Sequence, residues 1–278
     1  MTVLPANPDN GIVFRRLDTG TEIRARWDQT VESALATVLS NGEGIRVGTI
    51  EHLMAAFAGN EIDNAVVEID GPEVPIMDGS SAPFMRLIDR AGIEVQDAAR
   101  RAIKVLKPVS VSDNGATATL LPDHAFSMSF EIDYDNPLIR QQDLQITFEA
   151  GTFESELSRA RSFCLFDDID RMRAAGLALG GSLDNAVVVQ GNRILNAGGL
   201  RYADEFVRHK LLDAFGDLYL AGGPIIGHFH GTRCGHALTR RLLAALFADN
   251  AAWCVTTIAD ATPIGVVAWP EARRAARA

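Results

Sequence analysis

The sequence has few cysteines and no long apolar run, and each shortage excludes a class of protein. Three cysteines, Cys164, Cys234 and Cys254, lie far apart, which excludes a disulfide framework and favours a reducing, cytoplasmic setting. No apolar run approaches the roughly 18 residues that a membrane-spanning helix needs. Residues 1–10 have neither a basic start nor an apolar core, so we expect no secretory signal.

Positively charged residues are fewer than negatively charged ones. The 278 residues include 26 Lys and Arg against 36 Asp and Glu, a net charge of −10 at pH 7. A broad nucleic-acid surface needs a positive field, so a nucleic-acid-binding α/β domain is disfavoured, although one local basic pocket for a phosphorylated substrate is still possible. A hydrophobic content of 47% indicates a globular protein with one large domain or two modest ones.

Apolar periodicity predicts alternating strands and helices. Helical spacing predicts helices at 49–59, with Thr49 as its cap, and at 81–92, 152–158, 202–222 and 235–250. Alternation predicts strands at 11–16, 21–26, 64–70, 103–111, 116–121, 126–133, 144–148, 186–190 and 225–230. Residues 2–4 have the pattern of a strand that has already begun, and the tail from residue 271 is expected to fray.

The two halves of the chain contain similar segments. Residues 51–57 are Glu-His-Leu-Met-Ala-Ala-Phe and residues 209–215 are His-Lys-Leu-Leu-Asp-Ala-Phe. A predicted strand and a further helix follow each of them. This repetition predicts an α+β protein built from a duplicated α/β unit, with two similar domains facing each other and a ligand site between them. The alternative is that any two amphipathic helices look alike.

Two short patterns could supply metal ligands. His209 and Asp213 are four residues apart on one helix face, and Asp217 follows one turn later. Glu51 and His52 add a second imidazole and a spare carboxylate. The simpler alternatives are a solvated helix face and an acidic first turn that favours the helix dipole. Taken together, three ligands and a free carboxylate are what a zinc hydrolase requires.

The other histidines have less distinctive surroundings. His236 opens a predicted helix, where it is either a residue of the cap region or a general acid that also stabilises an oxyanion. His228 and His230 share one strand face and could resemble a metal pair, but we interpret them as structural. His124 lies in a predicted turn and is expected to be exposed.

Two loop segments have both a functional and an ordinary interpretation. In 158–163, Ser162 could donate a hydrogen bond to an oxyanion and the arginines could face a phosphate, or the segment could be a solvated turn. Residues 177–182 are small and aliphatic without charge. They could line a passage for an acyl chain or simply pack as a loop.

These pieces occur together in one family. The chain resembles the UDP-3-O-acyl-N-acetylglucosamine deacetylases from about residue 10 to about residue 270. The motifs are Glu51-His52-Leu53, Gly59-x-x-x-Asp63-Asn64, Pro-Glu-Val-Pro-Ile-Met-Asp-Gly-Ser at 72–80, Ser-Arg-Ala-Arg at 158–161, Leu-Gly-Gly-Ser at 179–182, Glu-Phe-Val-Arg-His-Lys-Leu-Leu-Asp at 205–213 and Gly-His-Ala-Leu at 235–238. Several independent motifs in the same order make a chance resemblance very improbable.

The resemblance implies a zinc-dependent amidase of early lipid A synthesis in Gram-negative bacteria. Its substrate would be an acylated UDP-N-acetylglucosamine and its product the free amine plus acetate. The fold implied is two two-layer sandwiches with their helices packed between the sheets, at 1–100 and 101–270, with an acyl-passage insert near 177–200 and a tail at 271–278. A cytoplasmic monomer without nucleic-acid partners is expected.

The resemblance also implies roles for individual residues. The zinc ligands would be His52, His209 and Asp213. Glu51 would be the general base, and His236, held by Asp217, the general acid and charge stabiliser. The oxyanion would be bound by Ser162, where the family usually has Thr. The substrate contacts would be Lys210 and Phe163 for the sugar nucleotide, and 177–189, including Leu179, Gly180 and Gly181, for the acyl chain.

One departure from the family pattern concerns the beginning of the chain. Family members usually start further upstream, with a first strand and a Gly-rich turn that carries a His. Met1 falls inside what would be their second strand. We therefore expect the first sheet to lack an edge and the chain to be less stable than an extended one. The alternative function is a weakly active paralogue that binds zinc or the nucleotide sugar without efficient turnover.

Overall fold

A computed structural model describes residues 1–258, and the predicted tail at 271–278 lies outside them. The helices in this range are α1 (Glu51–Gly59), α2 (Ala82–Ala91), α3 (Thr152–Glu156), α4 (Ile169–Ala174), α5 (Glu205–Leu218) and α6 (His236–Ala248). Short 3₁₀ turns lie at Trp27–Gln29, Phe166–Asp168 and Tyr219–Ala221. None of the helices in this range is both long and apolar enough to cross a bilayer.

Strands make up most of the remaining regular structure. The first part of the chain contains β1 (Thr2–Pro5), β2 (Ile12–Arg16), β3 (Thr21–Arg24), β4 (Thr30–Val31), β5 (Val38–Ser40), β6 (Arg46–Val47) and β7 (Ala65–Ile69). The second part contains β8 (Arg101–Val105), β9 (Val109–Asp113), β10 (Ala116–Leu121), β11 (Phe126–Asp133), β12 (Gln141–Thr147), β13 (Phe163–Leu165), β14 (Val187–Gln190), β15 (Arg193–Ile194), β16 (Ile225–Thr232) and β17 (Trp253–Thr257).

The two main sheets repeat the same pairing. In the first sheet, ordered β1-β7-β2-β3, β7 is antiparallel to β1 and parallel to β2. In the larger sheet, which contains β12-β11-β16-β10-β9, β16 is antiparallel to β10 and parallel to β11. The order α1–β7–α2 therefore corresponds to α5–β16–α6. This confirms a duplicated α+β architecture, and the division into domains near residue 100 stays a prediction.

Helices α1 and α5 pack against each other between the sheets. Twelve of the fourteen residues of α5 are buried, as are residues 51–57 of α1. Aromatic side chains fill the layers on either side, with Phe14 and Phe57 fully buried in the first half and Phe130 and Phe229 in the second. A polar side chain in this region loses its hydration, and it is tolerated only if a partner replaces the water.

The structure differs from the sequence expectations at several boundaries. The strand predicted at 103–111 is two strands, because Pro108 has no N–H for the ladder and Val109 begins β9, which pairs with β10. Thr49 is not a helix cap: it has a φ of 56°, and its hydroxyl donates to Glu73 Oε1 at 2.5 Å. Helix α5 begins at Glu205 rather than at residue 202.

Two small sheets were not foreseen as units. Strands β4, β5 and β6 form one that is attached to the second half, because Trp27 stacks on Phe247 of α6 with ring centroids 5.1 Å apart. Strands β13, β14 and β15 form the other. The first of these sheets places the segment between β4 and β5 beside α5 and α6. On the first main sheet, β1 lies at the edge with Val3 and Leu4 exposed.

Candidate metal centre

Three potential metal ligands converge where α1 meets α5. His52, His209 and Asp213 are buried, and their ligand atoms all lie within 4.8 Å of one another. Asp213 Oδ1 is 3.3 Å from His209 Nε2 and 3.5 Å from His52 Nε2. The pair at i and i+4 comes from one face of α5, and the first turn of α1 supplies the third side chain. Of the residues described, these form the one group of three or more such ligands.

The remaining atoms of these side chains favour a cation at the centre. His209 Nδ1 donates to the carbonyl of Ala160 at 3.1 Å, which leaves Nε2 free to bind a metal. Lys210 Nζ donates to Asp213 Oδ2 at 2.7 Å. Asp213 Oδ1 and His52 Nδ1 are buried without a hydrogen-bond partner in the described chain. Two imidazoles and one carboxylate form a donor set that suits zinc, and the orphaned oxygen faces both rings.

The protonation states at the centre also favour metal binding. Burial lowers the pKa of His209 to about 4, so its imidazole is neutral at pH 7, the form that binds a metal. Burial opposes ionisation of Asp213, but the neighbouring His209 and Lys210 hold the pKa of its carboxyl well below the ordinary value. The Asp213 pairing raises the pKa of Lys210 against the effect of burial, so that side chain stays charged.

A carboxylate and a further imidazole stand beside the three potential ligands. Glu51 Oε1 lies 4.0 Å from His236 Nε2, which is itself 3.9 Å from Asp213 Oδ2. Burial raises the pKa of Glu51, which brings the carboxylate closer to a base that works near neutral pH. Burial alone would lower the pKa of His236, but Asp217, whose Oδ2 is 2.8 Å from Nδ1, raises it to about 9. One group can accept a proton while the other donates one.

The segment that carries Ser162 and Phe163 runs next to the cluster. Ser162 N–H donates to the carbonyl of Gly79 at 2.8 Å, which anchors this backbone two residues after the carbonyl that holds His209. The Phe163 ring lies 6.2 Å from the His209 ring and 5.0 Å from that of Phe206. The structure therefore places Phe163 beside His209 and Ser162 next to it on the same segment, and their individual roles stay predictions.

The predicted acyl passage at 177–189 is divided in the structure: residues 178–184 lie in an exposed loop, whereas 187–189 are buried in β14. Leu179 is 72% exposed, and neighbouring Gly180 and Gly181 are exposed as well. The loop is closed by its own hydrogen bonds, including one from Asn185 Nδ2 to the Gly180 carbonyl at 3.0 Å. At its end it touches Gly79, where a β-carbon would lie 2.1 Å from the Asn185 carbonyl oxygen. The loop thus approaches the Ser162 segment through Gly79.

Arg161 does not face a phosphate, as one interpretation of its segment allowed. Its guanidinium donates to Glu205 through Nε at 2.8 Å and Nη2 at 3.1 Å, and its main-chain N–H donates to the same carboxylate. Glu205 is fully buried at the start of α5, and it also accepts from Arg201 N–H at 2.6 Å. This buried pair ties the 160–162 segment to the helix that carries His209 and Asp213.

The remaining histidines lie away from the cluster. His228 accepts or donates at both ring nitrogens, to Ser127 Oγ at 2.7 Å and Ser129 Oγ at 2.9 Å. His230 Nδ1 is 2.8 Å from the same Ser129 hydroxyl. His124 is exposed in a turn, as expected. The interpretation of His228 and His230 as structural residues agrees with these contacts.

Sequence reasoning missed one residue of the site. Thr37, just before β5, contacts Glu51, Asp217 and His236. Nothing in the surrounding Ala-Thr-Val distinguishes it from an ordinary strand residue, and its partners lie 14, 180 and 199 positions away. Only the packing of the small β4–β5–β6 sheet on α6 reveals the contact.

Comparison with known proteins shows which family this chain resembles. The model of the family described as UDP-3-O-acyl N-acetylglycosamine deacetylase matches residues 1–248. A protein of Nitrosococcus oceani named UDP-3-O-acyl-N-acetylglucosamine deacetylase is 50% identical over 264 residues, which are 94% of this chain and 86% of that protein. One from Idiomarina loihiensis with the same name is 50% identical over 257 residues, 91% of this chain and 84% of its own length.

Proposed function

The chain belongs to the UDP-3-O-acyl N-acetylglycosamine deacetylase family, and on that premise we propose that it hydrolyses the N-acetyl group of UDP-3-O-acyl-N-acetylglucosamine. Water and the amide give acetate and the free amine, an early step of lipid A synthesis. The observation that carries the proposal is the buried His52, His209 and Asp213 cluster with Glu51 and His236 beside it. An amide hydrolase needs a base, an acid and an electrophile in that proximity.

Zinc is the cofactor that we propose for this centre. His52, His209 and Asp213 would hold it, and Asp213 Oδ1 supports this choice because a buried oxygen without a hydrogen-bond partner needs a donor or a cation. When bound, zinc supplies Lewis-acid activation of water and of the amide carbonyl.

Glu51 and His236 divide the proton transfers between them. Glu51 accepts a proton from the attacking water, a role that its raised pKa favours. His236 holds its Nδ1 proton against Asp217 and presents Nε2 to the site, from which it donates a proton to the departing amine nitrogen. Before that transfer, the cationic ring stabilises negative charge on the carbonyl oxygen.

Substrate contacts are assigned to the elements around the centre. Ser162 donates a hydrogen bond to the oxyanion, and Phe163 and Lys210 contact the sugar nucleotide. The exposed loop with Leu179, Gly180 and Gly181 lines the path of the acyl chain, in keeping with its lack of charge. A monomer in the cytoplasm is the proposed form, which agrees with three free cysteine thiols.

The decisive experiment measures deacetylation of the acylated UDP-sugar and metal content on the same preparation. Turnover that rises with zinc occupancy, and that a chelator abolishes reversibly, is the expected result. Tight binding of the nucleotide sugar without turnover in a zinc-loaded sample would instead favour the weakly active paralogue. Turnover that is independent of any metal would overturn the role of the cluster.

A further inference from the structure

Thr37 contacts three helices at once. Its main-chain N–H donates to Glu51 Oε2 in α1 at 3.0 Å, and its hydroxyl donates to Asp217 Oδ1 in α5 at 2.5 Å. The same hydroxyl oxygen lies 3.1 Å from His236 Nδ1 in α6. Thr37 is only 7% exposed, so these contacts lie in the interior of the protein. The base and the acid of the proposed reaction thus share one small residue.

The donors and acceptors around the Thr37 hydroxyl show that it bridges Asp217 and His236. It has one proton, which goes to the carboxylate of Asp217, and its lone pairs face the Nδ1–H of His236. That N–H also donates to the other carboxylate oxygen of Asp217 at 2.8 Å. The three side chains therefore close a ring in which neither the carboxylate nor the imidazole can turn without breaking a bond.

The backbone around Thr37 is held as firmly as its side chain. Its carbonyl accepts from Ile50 N–H at 3.4 Å, immediately before α1. The preceding part of its segment is anchored by the Trp27–Phe247 stack. A hydroxyl on such a support can orient its partners, because it has little freedom to follow them.

We propose that Thr37 is a positioning residue for catalysis, whose hydroxyl locks the Asp217–His236 pair so that His236 Nε2 points at the leaving amine. The inference rests on the proposed deacetylase function. Thr37 touches neither substrate nor metal ligand, and it acts through His236. Its main-chain N–H separately holds Glu51 Oε2, which leaves Oε1 turned towards the site.

Three substitutions separate the hydroxyl from the rest of the residue. Thr37→Val removes the hydroxyl and keeps the volume and the N–H to Glu51, whereas Thr37→Ser keeps the hydroxyl. Thr37→Ala opens space next to a cavity of about 20 Å³ beside Asp217 and His236 that already has room for about one water. A water there could replace the hydroxyl in part. Thr30→Val is the matched control, since its hydroxyl donates to the Trp27 carbonyl on the same segment.

Kinetics give the first readout. Thr37→Val should lower kcat by about 10–100-fold with KM and zinc content unchanged, Thr37→Ala should lower it less, and Thr37→Ser should recover most of the rate. In a His236→Gln background, Thr37→Val should have almost no further effect, because the residue acts through that imidazole. Rates that multiply in the double variant, or a wild-type kcat in Thr37→Val, overturn the proposal. If Thr37→Val does not fold, the comparison of Ala with Ser decides.

A second readout does not depend on turnover. In ¹⁵N-histidine-labelled protein, the His236 Nδ1–H signal, assigned by its loss in His236→Gln, should be protected from exchange with water in the wild type. It should broaden or disappear in Thr37→Val and persist in Thr37→Ser and Thr30→Val. An unchanged signal in Thr37→Val shows that the hydroxyl does not hold the ring. Because this signal is read without substrate, failure of the deacetylase assignment alone would leave it intact.

Discussion

Gly216 in α5 lies against the carbonyl oxygen of Glu51 in α1, so closely that a β-carbon on Gly216 would be 2.1 Å from that oxygen. The two helices approach here as near as their backbones allow. Glu51 and His52 are carried by the same turn of α1, and His209 and Asp213 lie on the adjacent turns of α5. The distance between His52 on α1 and the pair His209 and Asp213 on α5 therefore depends on the absence of a β-carbon at Gly216.

Substitution Gly216→Ala should push α1 away from α5 and loosen the centre. Inserting a methyl group into a packed interface costs about 1–3 kcal/mol in the free energy of unfolding. Zinc affinity, measured by competition with a chelator, should fall as well because His52 moves with α1. Gly71→Ala is the control, since a β-carbon there meets nothing within 4 Å. Equal zinc affinity in both variants would show that α1 can shift without moving His52.

Loss of Asp213 should remove the metal. Asp213→Ala takes away one proposed ligand and leaves the partly buried positive charge of Lys210 without its carboxylate, which repels a cation. The loss of activity should exceed the roughly 10–100-fold that removal of an outer partner costs. Metal content by mass spectrometry is the measurement. Asp204→Ala, which removes a carboxylate paired with Arg208 just before α5, should keep its metal. Retention of zinc by Asp213→Ala would contradict the ligand assignment.

Removal of the base should separate metal content from rate. Glu51→Gln keeps an acceptor for the Thr37 N–H but cannot take a proton. Zinc content should stay at the wild-type level, while kcat falls about 10²–10⁴-fold, the range for general acid–base catalysis. If metal and activity disappear together, Glu51 is a ligand or a structural residue instead of the base.

The alkaline side of the pH–rate profile should report His236. Its pKa of about 9 means that the imidazole keeps its proton at pH 7 and loses it as the pH rises through 9. Activity that needs the protonated form should therefore be full below that pKa and decline above it. In Asp217→Asn the main cause of the upward shift is gone, so the decline should move to lower pH. An unchanged alkaline limb in that variant would assign it to another group.

The buried pair of Arg161 and Glu205 should be far more sensitive than a surface pair. Glu205→Gln leaves the Arg161 guanidinium, which is 11% exposed, without its counter-charge, and this should cost about 3–5 kcal/mol. Asp28→Asn breaks the exposed pair with Arg26 and should cost about 0–1 kcal/mol. Urea unfolding of both variants tests the difference. Comparable midpoints would mean that the buried pair contributes little net stability.

Features encoded within one element could be predicted from the sequence. The spacing of His209 and Asp213 places them on one helix face whatever surrounds that helix. The similarity of 51–57 to 209–215 predicted a duplicated unit, and the matching strand order of the two sheets agrees with it. The resemblance to the family then predicted that residues of both helices form one site.

Features that depend on contacts between segments far apart in the sequence could not be predicted from the sequence. The bonds of Thr37 to Asp217 and His236 arise only when the β4–β5–β6 sheet has docked on α6. Arg161 could be expected to face a phosphate because its partner, Glu205, is 44 residues away. A local pattern can also be overridden by another partner. The Thr49 hydroxyl, which the sequence predicted to cap α1, bonds to Glu73 instead.

The matching order of the two halves has an evolutionary consequence. When 51–57 and 209–215 are superposed as sequences, Glu51 corresponds to His209, His52 to Lys210 and Ala55 to Asp213. An ancestor with two identical copies would have repeated the same groups on both helices. In the present chain the two helices carry different groups: α1 has the carboxylate of Glu51 and the imidazole of His52, while α5 has His209, Asp213 and Lys210, whose ammonium donates to Asp213. Copying the residues of one helix onto the other would therefore give two matching helices without the buried cluster of His52, His209 and Asp213.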